Sequence, residues 1–126
     1  MVAMVTGWSY RDVRALFPTS VAEREGLMLW EVFQTFAWFG YALRVFGQQK
    51  YAFWPECERA AAGEPFADVH VCEVVDFEGA DGHHLVVMLA DGSVLDPLRE
   101  QPRRLSDYHA VVYVAGVYPI DPRPAP

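Results

Sequence analysis

The chain has 126 residues, of which 52% are hydrophobic and 14% aromatic, so it can bury a core within one domain. Its formal net charge is −7, which argues against binding to nucleic acid or to anionic membranes, because both require clustered positive charge. The two cysteines form neither a disulfide framework nor a CxxC pair, and a reducing cytoplasm is the expected compartment.

Two helices are predicted near the start of the chain. Ser9 and Asp12 can cap a short helix over residues 10–16. Ser20 and Glu23 have the spacing of a capping box, which predicts the start of a second and much longer helix.

The long helix dominates the predicted fold. It runs to Phe46, where Gly47 offers a stop, and the internal Gly26 and Gly40 cost about 1 kcal/mol each. Because its side chains are apolar on nearly every side, we expect protein to surround it on most sides. Trp38 lies on its polar stripe. It is a candidate residue for contact with a partner, the alternative being a loop that covers it.

Strands are predicted in the second half of the chain, after a short helix over residues 55–62 that Gly63 ends. Alternation predicts a strand over residues 69–76, and the hairpin signal Asp91-Gly92 predicts strands over residues 83–89 and 93–96. A β-rich composition predicts a last strand over residues 109–118. The expected fold class is α+β, with the long buried central helix and a short helix packed on a small antiparallel sheet of about four strands. One domain is expected over residues 1–120, followed by a flexible Pro-rich tail at residues 121–126.

One hairpin carries side chains that could perform chemistry. His83 and His84 open one strand, Asp91-Gly92 is a turn signal, and Asp96 closes the next strand. An Asp can orient a His, and that His can activate a nucleophile. A two-residue loop would put His83 on the face of Asp96, whereas a one-residue bulge would select His84.

The segment Gly82-His83-His84-Leu85 to Asp96-Pro97-Leu98 resembles the His strand and Asp-Pro strand of papain-like cysteine peptidases. It is closest to the double-glycine leader peptidases and to transglutaminase-like relatives. The resemblance implies a cysteine at the start of the central helix. The sequence has Leu29 before Trp30 at that place, so the resemblance implies a papain-like scaffold without its nucleophile.

Other residues could supply chemistry or a binding surface. Cys57, near a predicted helix N-terminus, is an alternative nucleophile, although Glu56 and Glu58 flank it and would raise its pKa. No metal site and no cofactor are expected, since the histidines lack the spacing of metal ligands. Four carboxylates form a candidate acidic surface for a basic partner, the alternative being a solvated edge: Glu73, Asp76, Glu78 and Asp81.

Three functions are consistent with these residues. The first is a non-catalytic protein-binding module, on a papain-like scaffold that has lost its cysteine. The second is a small acidic inhibitor or adaptor of a host protein complex, of phage or mobile-element type. The third is a cysteine peptidase or amidase that uses Cys57 with His83 or His84 and Asp96. The expected partner is another protein, and the sequence does not specify an oligomeric state.

Overall fold

The structure is a computed structural model that describes residues 2–16, 29–46, 68–80 and 83–126. The chain divides into two compact units. The first, which we call the sheet unit, comprises Arg44–Tyr118, and the second, the helical unit, comprises Val2–Leu43 and Pro119–Pro126. The prediction of one domain with a flexible tail at residues 121–126 stays a prediction.

Three short helices and five strands make up the regular structure of the described residues. The helices are α1 (Val2–Thr6), α2 (Tyr10–Ala15) and α3 (Leu29–Trp38). The strands are β1 (Tyr41–Phe46), β2 (Val69–Val75), β3 (His84–Leu89), β4 (Val94–Leu95) and β5 (Ala110–Pro119), and a 3₁₀ turn covers Leu105–Asp107. None of the described helices has the length and apolarity needed to cross a bilayer.

The predicted fold class is wrong in its main feature, the long buried central helix. The structure is mostly sheet, and α3 has ten residues. The final part of the predicted helix, from Tyr41 to Phe46, is instead strand β1, which is additional to the four predicted strands. The short helix after Ser9 is confirmed, since the Ser9 hydroxyl accepts from the backbone N–H of Asp12 at 3.1 Å. The predicted cap at residues 20–23 and the predicted helix at residues 55–62 lie outside the described residues.

Gly40 is the physical reason why the helix ends early. Its backbone adopts φ of +90°, a left-handed conformation that costs other residues about 1–2 kcal/mol. Its N–H donates to the carbonyl of Ala37 at 3.0 Å, which satisfies one of the free carbonyls at the end of α3. Gly40, which the sequence predicts to lie inside a helix at a cost in stability, is therefore the residue that ends the helix.

The five strands form one sheet in the order β1-β5-β2-β3-β4. The pairs β2–β3, β2–β5 and β3–β4 are antiparallel. Cys72 of β2 lies opposite Val86 of β3 and Val114 of β5, so these three side chains share one face of the sheet. Leu105 and Tyr108 are buried in the same apolar cluster, which places the core of the sheet unit on this face.

In the helical unit, the segment after β5 approaches Gly40 closely. The backbone N–H groups of Ile120 and Asp121 donate to the Gly40 carbonyl at 2.9 and 3.0 Å. A Cβ atom at position 40 would overlap the Asp121 carbonyl and lie 2.8 Å from the Cα of Pro122. Gly40 therefore serves two purposes, because it ends α3 and leaves room for this segment.

The substitution Gly40→Ala should lower the free energy of unfolding by about 3 kcal/mol, since it adds left-handed strain and a backbone clash. Gly7→Ala is the matched control in the same unit. Gly7 has φ of +76°, and a Cβ there would meet nothing within 4 Å, so the expected loss is about 1 kcal/mol. Urea titration followed by tryptophan fluorescence measures both values, and equal losses would contradict the close approach.

Candidate functional site

A buried polar cluster of the sheet unit is centred on Asp96, directly after β4. Its carboxylate has no exposed surface, and both oxygens accept hydrogen bonds. Oδ1 accepts from the backbone N–H of Leu98 at 2.9 Å and lies 2.6 Å from Nε2 of His84. Oδ2 accepts from the Tyr108 hydroxyl at 2.8 Å and from the Arg99 guanidinium at 2.6 Å. We call Asp96 and these four partners the Asp96 cluster.

The hairpin between β3 and β4 determines which histidine reaches Asp96. Residues 90–92 form a three-residue loop, in which Gly92 adopts φ of +86°. The N–H of Gly92 donates to the Leu89 carbonyl at 2.9 Å. This loop is one residue longer than the simple two-residue turn, and it pairs Met88 with Val94.

That register places His84, rather than His83, on the face of Asp96. Of the two registers that the sequence leaves open, the structure has the one with the extra residue. His83 instead has its Nδ1 3.6 Å from Oε1 of Glu73, whose side chain points to the opposite face from Cys72. Burial raises the pKa of Glu73, and His83 partly offsets this effect. The two adjacent histidines therefore belong to different surroundings.

The shifted pKa values of Asp96 and Tyr108 determine which of these two groups carries a proton at neutral pH. Burial alone would raise the pKa of Asp96, but hydrogen bonds from Leu98, Tyr108 and His84 outweigh burial and lower the pKa to about 2. Burial and the hydrogen bond to Asp96 raise the pKa of the Tyr108 hydroxyl. At neutral pH, Asp96 is therefore a carboxylate and Tyr108 is a neutral donor.

Two arginines connect this cluster to Asp76, at the end of β2. Nη2 of Arg99 lies 2.8 and 2.7 Å from Oδ1 and Oδ2 of Asp76, and Nη1 of Arg103 lies 3.2 Å from Oδ1 of Asp76. The hydrogen bond from Arg99 lowers the pKa of Asp76, with burial opposing it. The Arg103 guanidinium also lies 4.4 Å from the centroid of the Tyr108 ring. Sequence reasoning missed these roles, although the three-residue spacing of Asp96 and Arg99 is a signal for such a pair.

The predicted acidic surface is partly neutralised. Asp76 pairs with two arginines and Glu73 contacts His83. Glu78 is exposed on the turn after β2, and Asp81 lies outside the described residues. Within the described ranges, no three His, Cys, Asp or Glu side chains are arranged to hold a metal ion.

The structure brings together only part of the predicted catalytic set. Nε2 of His84 is bonded to Asp96, so Nδ1 is the ring nitrogen that could receive a proton from a nucleophile. Cys57, the predicted nucleophile, lies outside the described residues. Cys72 is fully buried in the apolar cluster of the sheet. The backbone of Leu29 begins α3.

A separate concave surface lies in the helical unit, at the end of α3. It is a groove of about 720 Å³ that we call the Trp38 groove. Trp38 is 42% exposed and Ile120 is 72% exposed. Trp8 packs edge-on against Trp38, with ring centroids 5.8 Å apart. Six of the lining residues are Phe33, Trp38, Tyr41, Ile120, Pro122 and Arg123.

Comparisons of this chain with protein-family models, with curated proteins and with solved structures found no match. The resemblance to papain-like cysteine peptidases therefore stays a prediction.

Tyr108→Phe should lower the free energy of unfolding by about 1–2 kcal/mol, because it removes a hydrogen bond to a buried carboxylate. Tyr113→Phe is the matched control. Tyr113 is 1% exposed, and its hydroxyl has no hydrogen-bond partner among the described residues, so removing this hydroxyl should leave the stability unchanged or raise it. Chemical denaturation of the two variants compares them, and similar losses would argue against the special role of Tyr108.

Asp96→Asn should lower the stability by about 2 kcal/mol at pH 7, given a folded pKa of about 2 against an ordinary value of 3.8. Because the folded pKa is lowered, this stabilisation is present above pH 3.8 and is lost as the pH falls through about 2. The difference between wild type and variant should therefore shrink over this window. Glu78→Gln, which removes an exposed carboxylate, is the control. A difference for Asp96→Asn that stays constant with pH would contradict the assignment.

Proposed function

We propose that this chain is a non-catalytic protein-binding module and that its partner binds at the Trp38 groove. The observation that carries the proposal is the exposure of Trp38 at a concave, aromatic surface. Tryptophan, tyrosine and arginine supply most of the binding energy in protein interfaces. Two of these residue types lie on the wall of the groove that α3 and β1 form, as Trp38 and Tyr41.

The Trp38 groove also has the dimensions of a recognition site. Its volume of about 720 Å³ is within the range of pockets that bind side chains or small ligands. Phe39, the residue after Trp38, is fully buried, and its ring centroid lies 5.0 Å from that of Trp8. The exposed ring of Trp38 therefore packs edge-on against two aromatic side chains, Trp8 and Phe39, that also pack against each other.

The scaffold of the proposed module is a papain-like one that has lost its cysteine. Support for it comes from the hairpin, in which His84 and Asp96 lie 2.6 Å apart. In this proposal the Asp96 cluster holds the loop of Arg99 and Arg103 against the sheet. Each oxygen of the carboxylate already has two partners, which suits a structural role.

Trp38→Ala tests the proposal. The wild-type chain, Trp38→Ala and Phe77→Ala are immobilised and exposed to extract from cells that carry the gene, and captured proteins are identified by mass spectrometry. Phe77 is the matched control, since it is a large exposed aromatic residue, 63% accessible, in the sheet unit. We expect wild type and Phe77→Ala to capture the same partner and Trp38→Ala to lose it by more than about tenfold. Capture that is indifferent to Trp38→Ala would reject the groove as the binding site.

A second function is supported by the same pair of His84 and Asp96. A cysteine peptidase or amidase would use Cys57 as nucleophile, His84 as base and Asp96 as the orienting group. This function predicts rapid alkylation of Cys57 by iodoacetamide at neutral pH, slowed in His84→Ala, with loss of a measurable amide hydrolysis. Alkylation at the rate of an ordinary thiol in both chains would remove this candidate.

A further inference from the structure

Arg123 is recognised by its side chain and by its backbone together. Its guanidinium carbon lies 4.2 Å from the centroid of the Trp38 ring, and its Nε donates to the Trp38 carbonyl. Its backbone N–H donates to the Phe39 carbonyl at 2.9 Å. Its own carbonyl accepts from the indole N–H of Trp8 at 3.1 Å. The Nε, the backbone N–H and the carbonyl of Arg123 therefore each have a hydrogen-bond partner on the helical unit.

The sequence around Arg123 favours an extended conformation before it binds. Residues 121–126 read Asp-Pro-Arg-Pro-Ala-Pro. Each proline fixes its own φ near −65°, and each residue before a proline is restricted to extended or polyproline II backbone. Such a segment loses little conformational entropy on binding, which is why aromatic grooves so often bind proline-rich segments.

Gly40 shows that the surface is shaped for a backbone rather than for a side chain. The carbonyl of Gly40 accepts two hydrogen bonds from the segment, from Ile120 and Asp121. The position that a Cβ of residue 40 would occupy is filled by the Asp121 carbonyl. An extended chain can therefore lie directly on the end of α3.

We infer that residues 121–126 are an intramolecular ligand of the wall that α3 and the start of β1 contribute to the Trp38 groove, and that the partner of this protein carries a matching segment, an extended chain with an arginine between two prolines. This inference rests on the proposed function and names the partner's chemistry. The internal segment competes with the partner, so binding in trans requires its displacement.

The competition has a predictable size. A covalently attached segment has an effective concentration on the order of millimolar. A site that is occupied about 90% of the time by its own segment binds an external segment about tenfold more weakly than an open site does. A variant whose own segment binds poorly should therefore bind an external peptide more tightly than wild type does.

The experiment uses the full-length chain and a dye-labelled peptide, Asp-Pro-Arg-Pro-Ala-Pro, followed by fluorescence anisotropy. Arg123→Ala should bind this peptide about tenfold more tightly than wild type. Arg123→Lys, which keeps the charge but loses the Nε donor and the planar guanidinium, should bind the peptide with an affinity between those of wild type and Arg123→Ala. The control peptide Asp-Pro-Ala-Pro-Ala-Pro should bind Arg123→Ala at least about tenfold more weakly than the arginine peptide does. Circular dichroism checks that each variant is folded.

Three outcomes overturn the inference. The first is that folded Arg123→Ala fails to bind the peptide, and the second is that it binds both peptides equally. If either result is found and partner capture still depends on Trp38, the inference fails but the proposed function survives. If partner capture is independent of Trp38 as well, both fail. The third is a wild-type chain that dimerises at micromolar concentration by exchanging residues 121–126, since a second copy would then be the occupant.

Discussion

The left-handed backbone of Gly40 is the constraint on which the helical unit depends. It ends α3 at Trp38, lets the chain enter β1, and leaves space at the end of the helix for residues 120–122. A side chain at position 40 would interfere with the last of these and strain the backbone.

The sheet unit has a different organising interaction, the buried carboxylate of Asp96. Four donors from three parts of the chain meet on it: a histidine of β3, the loop after β4, and the tyrosine that precedes β5. Charge-assisted hydrogen bonds of this kind are about twice as strong as neutral ones. The cluster explains how an irregular loop with two arginines is held on a small sheet, and it leaves one nitrogen of His84 for chemistry in the alternative function.

The sequence predicts the strands better than the helices, for identifiable reasons. The strands β2, β3 and β5 are rich in β-branched residues and are bounded by turn residues, and the predicted ranges agree with the strands that form. The prediction of one long helix is wrong because the apolar pattern of residues 41–46 is compatible with a helix and with a strand. The backbone conformation of Gly40 decides between the two. The choice of His84 over His83 depended on one residue in a loop, which periodicity does not reveal. Arg123 was missed because a proline-rich segment has no pattern that indicates what it contacts.

Arg123 docks on the end of α3 through its backbone and its side chain together. Hydrogen exchange measured by NMR tests this docking most directly, at the Arg123 amide and at the Trp8 indole N–H, which form two of the hydrogen bonds of the docked segment. We expect both protons to be protected in wild type and both to lose protection together in Trp38→Ala. Exchange of the Arg123 amide at the rate of an unstructured peptide in wild type would contradict it.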